Sequence, residues 1–371
     1  MLRIIRFSLL SLALLSTAVL QAAPGSWHDT NVSIIEQHVL PGYRKLASAT
    51  AELDRQARGF CRSPSAAGLE KLRQDYHQAM NAWMGIQHIR LGPVEMFMRY
   101  HRYQLWPDKH NTGSRQMRQL FAKRDPQRLR PDKFIHTSVA VQGFTALERV
   151  LFGKQGKDIR TFGTADKPAY HCQLTMAISH NLAGMSEGLV KDWSSARTPF
   201  QKMFNTDDRS MVSAEGVDSI STSREVAARF LSQLHTQLEA IADMKLGYPL
   251  DDSLDRAKPR RAESWRSRRS MQNIVLNLQG SAEFYLAGFS KRVSQAQGGA
   301  KIDGLISQGF NRAITQARAI KTPLYEIVAD PKQRPQLELL QQTIRELKGL
   351  ISGNLSQVLE LPQAFNSLDG D

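Results

Sequence analysis

A glutamate inside an apolar stretch is the most suggestive piece of chemistry in this 371-residue chain. In Gly143-Phe144-Thr145-Ala146-Leu147-Glu148, Thr145 and Glu148 stand three positions apart, so on a helix they share one face. A carboxylate set among Phe144, Leu147, Val150 and Leu151 needs a partner, because an unpaired buried charge is costly. A hard cation could bind it through oxygen, or an arginine such as Arg90 or Arg269 could pair with it. A second string, Gln87-His88-Ile89-Arg90-Leu91-Gly92-Pro93-Val94-Glu95, ends an aromatic-bearing helix with a Gly-Pro break. Such turns expose polar groups where an ion or a partner can reach them, which makes Arg90 and Glu95 candidates as well. The C-terminal Ala364-Phe365-Asn366-Ser367-Leu368-Asp369-Gly370-Asp371 is apolar and then acidic, and could dock back onto the body.

The usual catalytic strings are missing: there is no His-Glu-x-x-His, no Gly-x-Ser-x-Gly, no phosphate loop and no dinucleotide fingerprint. Histidine spacing offers no metal site on a single helix. His77 and His88 would lie roughly 16 Å apart along a helix, too far for one ion. Cys61 and Cys172 exclude a four-cysteine zinc site and a disulfide-dense scaffold. They allow one bridge joining the two halves, or two separate thiols.

Several features set the compartment. Arg3 and Arg6 precede the apolar run Phe7 to Leu20, and Gln21-Ala22-Ala23 follows, which reads as a signal peptide over 1–23. That run is shorter than the roughly 20 residues needed to span hydrocarbon. The formal charge is +14, with 49 Lys+Arg against 35 Asp+Glu. In an exported protein this charge points to anionic headgroups, envelope proteins or an acidic ligand, and not to nucleic acid. Seven of the cations fall between Arg256 and Arg269, a run that reads either as a contact for an anionic surface or as a solvated, mobile loop.

The elements that must position these residues are helices. Apolar residues recur at steps of three and four over 31–58, from Leu69 to Ile86 in a helix that Ser63-Pro64-Ser65 starts and Arg90-Leu91-Gly92-Pro93 breaks, and over 132–152, 169–193, 222–242, 270–289, 301–320 and 334–356, and strand alternation is nearly absent. Pro41 should kink the first of these helices, and Gly59 should stop it. The expected fold is all-α, with two bundle-like helical domains of long helices and irregular connections. The glycine-containing stretch from Lys154 to Pro168 has no periodicity. The domains are therefore placed at 24–155 and 169–371, with a linker at 156–168. Asn205 to Ser221 and Asp251 to Arg269 read as mobile, and Trp83, Trp106 and Trp193 as core.

Taken together, Val39-Leu40-Pro41, Phe60-Cys61, Trp83, Gly92-Pro93, the Gly143 to Glu148 string and the Phe365 to Asp371 tail resemble the imelysin family of exported bacterial proteins, over nearly the whole mature chain. The resemblance implies two helical bundles, a site at their interface and a periplasmic or outer-membrane-associated place in iron uptake. Iron or another divalent metal would be the cofactor, and envelope iron- or haem-uptake proteins the partners. The family motif Gly-x-His-x-x-Glu aligns with Gly143 and Glu148, but threonine stands at 145 where the family has histidine. A hydroxyl is a poor ligand for iron or zinc, so metal binding and the peptidase activity that gives the family its name both lose support. Arg269 lies just before the helix carrying Asn273 and Asn277, where relatives also carry polar residues. Three functions follow in order: a non-catalytic binding component of iron acquisition, an envelope scaffold with a decayed site, and a metallopeptidase.

Overall fold

The computed structural model describes residues 26–164, 169–195, 212–214, 217–220 and 222–361. The signal peptide expected at 1–23, the end of the expected linker, much of Asn205 to Ser221 and the Ala364 to Asp371 string lie outside the described residues. Among the described residues the fold is all-α apart from a small antiparallel ribbon, Val212–Ala214 with Val217–Ile220.

Helix α1 (Trp27–Ile34) opens with a capping box, in which the Ser26 hydroxyl accepts from the Asp29 amide while the Asp29 carboxylate accepts from the Ser26 amide. A π-helical turn, Ile35–Val39, leads directly into α2 (Leu40–Arg62). Proline at 41 cannot donate to the ladder and would collide with the carbonyl one turn earlier, and the widened turn just before it relieves both problems. The expected kink thus takes the form of a π turn. Gly59 does not stop the helix, which runs on to Arg62.

After Ser65, whose hydroxyl caps the amide of Gly68, α3 (Ala66–Ile86) buries Leu69, Leu72, Tyr76, Met80, Trp83 and Ile86 along one stripe. The single helix expected at 132–152 is in fact a short helix at Pro131–Phe134, a 3-10 turn at Val139–Val141 and α4 (Gly143–Phe152). The remaining long helices are α5 (Tyr170–Ser194), α6 (Ser223–Glu239), α7 (Ser270–Gly288), α8 (Gly299–Ala319) and α9 (Arg334–Gly349).

These helices pack as two bundles. The first joins α2, α3 and α5, with α4 against α5; the second joins α1, α6, α7, α8 and α9, and α7 also lies along α3. Membership differs from the expected division at 156–168. Helix α5 lies against α2 and is tied to it by the Cys61–Cys172 disulfide, whose Cα atoms are 5.5 Å apart. The bridge expected as one alternative therefore does join the two sequence halves, and it lies within the first bundle. Conversely, the N-terminal α1 crosses to pack on α6 and α7. The aperiodic stretch forms 3-10 turns that seat Phe162 against Phe60, their ring centroids 5.1 Å apart, within the first bundle. Among the described residues no helix is long and apolar enough to cross a membrane.

Candidate functional site

The site is set by the start of α4. Gly143 has φ +65, and a Cβ there would lie 2.1 Å from the Arg102 carbonyl oxygen and 2.3 Å from that of Tyr103. Only glycine lets the short Arg99–Tyr103 helix touch α4 backbone to backbone. The preceding Gln142 locks this approach: its side-chain oxygen accepts from Arg102 Nε and from Asn181 Nδ2, both at 2.9 Å, and its amide donates to the Thr137 carbonyl at 2.7 Å. Helix α4 then carries Glu148 to a depth where it is only 3% exposed.

Neither expected arginine receives that carboxylate. Glu148 Oε1 accepts from the Ser267 amide at 2.9 Å and from the Ser267 hydroxyl at 2.7 Å. Burial pushes the Glu148 pKa up, while the Ser267 donors and the charges of Arg266 and Arg149 oppose the rise. Arg269 is buried elsewhere: its Nε donates to Asn273 Oδ1 at 2.7 Å, Nη2 to Asn81 Oδ1 at 2.7 Å, and Nη1 to the His77 carbonyl and to His77 Nδ1. The Arg90 guanidinium lies 4.5 Å from the ring centroid of Tyr100, and its amide donates to Gln233 Oε1. Glu95 is exposed after the Gly92–Val94 turn and does not line the Glu148 cavity. The expectation of an arginine partner fails because the loop Asp251 to Arg269 folds inward and presents two uncharged donors from one residue.

Thr145 is half-buried, and its hydroxyl donates to the Leu105 carbonyl at 3.3 Å. Thr145 and Glu148 do share a face, as the spacing required, and both line a cavity of about 910 Å³. Trp106, Tyr248 and Trp265 supply its aromatic walls, and Lys109, Arg149, Arg260, Arg261 and Arg266 its cations. Trp106 is thus a cavity residue and not core. The remaining cations of the Arg256 to Arg269 run have other duties: Arg256 and Lys258 pair with Asp251, and Arg268 pairs with Glu326.

Beside the cavity is a polar cluster that sequence reasoning largely missed. Lys245, in a π turn after α6, is 4% exposed and pairs with both oxygens of Glu263, itself 2% exposed, at 2.9 and 2.8 Å. Glu263 also accepts from Gln104 Nε2 at 3.0 Å and Asn273 Nδ2 at 2.7 Å, and Gln104 accepts from Trp83 Nε1 at 2.9 Å. Burial lowers the Lys245 pKa, and Glu263 counteracts it. The one sequence signal was a lysine between Ile241, Ala242 and Leu246 on an apolar stripe.

The π turn Ile35–Val39 serves a second buried pair, with His38 Nε2 2.8 Å from His88 Nε2 and both rings against Phe284 of α7. Burial lowers the His38 pKa to about 4 and drives that of His88 well below the usual range.

A divalent metal, implied by the family motif, does not fit these residues. Thr145 supplies no imidazole, Glu148 Oε1 is held by Ser267, and Arg149 and Arg266 bring positive charge to the same wall. Among the described residues no group of three or more His, Cys, Asp and Glu is placed to hold an ion.

The Imelysin family model matches residues 39–351. Iron-regulated protein A of Synechococcus elongatus is 23% identical over 344 residues, covering 91% of this chain and 87% of that protein. The crystal structure of an imelysin-like protein from Psychrobacter arcticum superposes with a TM-score of 0.71 at 16% identity, covering 93% of this chain and all of the other. A Parabacteroides distasonis protein assigned as an iron-regulated protein A precursor gives 0.72 at 13% identity, covering 91% of this chain and 97% of the other. At these identities the two structures establish the shared fold. The family match spans both bundles and the whole Glu148 cavity, and on that ground the chain belongs to the imelysin family.

Proposed function

We propose that this protein is an exported, non-catalytic binding component of bacterial iron acquisition, and that it holds its ligand in the cavity beside Glu148, between the two helical bundles. The observation that carries the reading is that cavity itself: about 910 Å³, within the range of small-molecule sites, walled by aromatic side chains and floored by a buried, hydrogen-bonded glutamate. Export is supported by the basic and apolar N-terminal segment and by a disulfide, which persists in oxidising compartments. Iron acquisition is supported by the family and by the names of its relatives. A peptidase reading finds no support in the residues, because Thr145 cannot replace an imidazole as a zinc ligand. Envelope iron- or haem-uptake proteins are the partners that would receive the ligand, in the periplasm or at the outer membrane.

The test is to isolate the mature protein from the periplasmic fraction and weigh it by native mass spectrometry. A small molecule retained by the natural chain and lost in Trp265→Ala, with unchanged thermal melting, is expected. A protein found only in the cytoplasm, or chelator-sensitive cleavage of a peptide substrate, would overturn the reading.

A further inference from the structure

The chemistry of the ligand follows from how charge is distributed around the cavity. Its two carboxylates are held, Asp108 by a cation and two amides and Glu148 on one oxygen. Asp108 accepts from the amides of Thr112 at 2.7 Å and Gly113 at 2.9 Å and lies 3.6 Å from Arg149, while Glu148 is held by Ser267. Two of its cations are not matched in the same way. Arg266 and Arg260 lie 4.3 and 5.8 Å from the ring centroid of Trp265, and among the described residues no carboxylate forms an ion pair with either. Arg266 is half-buried, and burial together with the neighbouring Arg149 holds its pKa below the usual arginine value. The protein thus keeps an exposed and a half-buried guanidinium over one indole with no carboxylate in ion-pair contact, Glu148 acting on Arg266 only from farther off, an arrangement that an incoming anion relieves and an incoming cation worsens. Guanidinium forks also match carboxylate and phenolate oxygens well.

The walls select a shape. Trp106 and Tyr248 line the cavity with ring centroids 6.3 Å apart, and Trp265 lines it with the guanidinium groups of Arg266 and Arg260 over its ring. Aromatic rings and the planar guanidinium groups laid over them stack flat, conjugated groups and hold negative substituents at their edges.

We infer that the cavity takes an anion that presents flat conjugated rings, such as a ferric complex that carries its negative charge on carboxylate or phenolate groups, and not a bare metal ion. This inference rests on the cavity being the ligand site. The replacement of the motif histidine by Thr145 then accompanies a change of ligand: the metal arrives already coordinated, and the protein reads the organic shell.

Titration calorimetry with four probes tests it: ferric protoporphyrin IX, the ferric complex of 2,3-dihydroxybenzoate, ferric citrate and zinc chloride. At least one of the first two should bind ten-fold or more tightly than citrate or zinc, with affinity falling as salt rises. Which of the two binds tells a porphyrin from an aromatic chelate. Arg266→Gln and Trp265→Ala should each weaken binding ten-fold or more, and Arg266→Lys should restore part of it. Citrate binding as tightly as both would overturn the planar requirement. Zinc binding that is lost in Glu148→Gln would overturn the anion while leaving the cavity as the site. Tight binding of an aromatic anion that is untouched by every cavity variant would remove the cavity from both readings.

Discussion

Two buried carboxylates stand on or against the same loop, and they lead different lives. Glu263 is closed in, with a lysine on both oxygens, two side-chain amides as further donors, and Trp83 behind one of them. Glu148 meets Ser267 from the same loop and faces open space beyond, near Arg266 and Arg260, with which no carboxylate forms an ion pair among the described residues. The first arrangement satisfies every charge inside the protein, which is what a structural joint between bundles requires. The second leaves charge for something else to complete. A buried ion pair by itself is weak evidence of function, and the contrast with a neighbour built from the same residue types is what separates the joint from the site.

The strongest way to break the contrast is to disturb the closed side. Glu263→Ala leaves Lys245 buried without a counter-ion and is expected to lower stability by about 3–5 kcal/mol in urea unfolding, whereas the double replacement Glu263→Leu with Lys245→Met should recover most of that loss. If the single variant were harmless, the pair would not be a joint. Next in size is Gly143→Ala. A methyl group there meets the Arg102 and Tyr103 carbonyl oxygens at a positive φ, and roughly 2–4 kcal/mol of destabilisation is expected together with loss of ligand binding, because α4 must shift and carry Glu148 with it. A stable variant with intact binding would contradict the role given to the close approach.

Acid attacks the closed side through His77, whose Nδ1 accepts from Arg269. Burial, then Arg269 and Arg73, lower its folded pKa from 6.5 to about 4. The unfolded chain therefore binds the extra proton first, and the stability is fully present above pH 6.5 and lost as pH falls toward 4. His38 adds to the same window. With a discount for partial exposure, about 2 kcal/mol is expected from His77, and His77→Asn should flatten the slope of stability against pH between 6.5 and 4. An unchanged slope would assign the acid sensitivity elsewhere. The smallest effect is expected on the open side. In Glu148→Gln the amide oxygen can still accept from Ser267, so no more than about 1 kcal/mol should be lost in thermal unfolding. A loss as large as that of Glu263→Ala would make Glu148 a second joint.

Much of this was legible in the sequence, for physical reasons. Helical periodicity reflects which face meets the core, so the stripe Leu69, Leu72, Tyr76, Met80, Trp83 and Ile86 reads directly as a buried face. Glu148 stood out because its neighbours are apolar, and it is indeed buried. Bundle membership was not legible. Aperiodic composition marks local irregularity, whereas the partner of α5 is decided by side chains more than a hundred positions away, as the Cys61–Cys172 separation of 111 shows. The loop misled most. Seven cations between Arg256 and Arg269 look solvated, yet Glu263, Ser267 and Arg269 are buried there, each satisfied by a group on another element. Lys245 and Glu263 lie eighteen residues apart across a break in the helices, a pairing that no local spacing rule reveals.

The most direct measurement pairs affinity with stability in Arg266→Gln, using ferric protoporphyrin IX and the ferric 2,3-dihydroxybenzoate complex as ligands. If the open side is the site, affinity for the aromatic anion that binds should fall ten-fold or more while the melting temperature stays within a degree or so of the natural protein, the usual result for a change at a half-exposed residue. If affinity is unchanged, or falls only in step with the melting temperature, the unneutralised arginines belong to the scaffold and the cavity is not where the ligand is read.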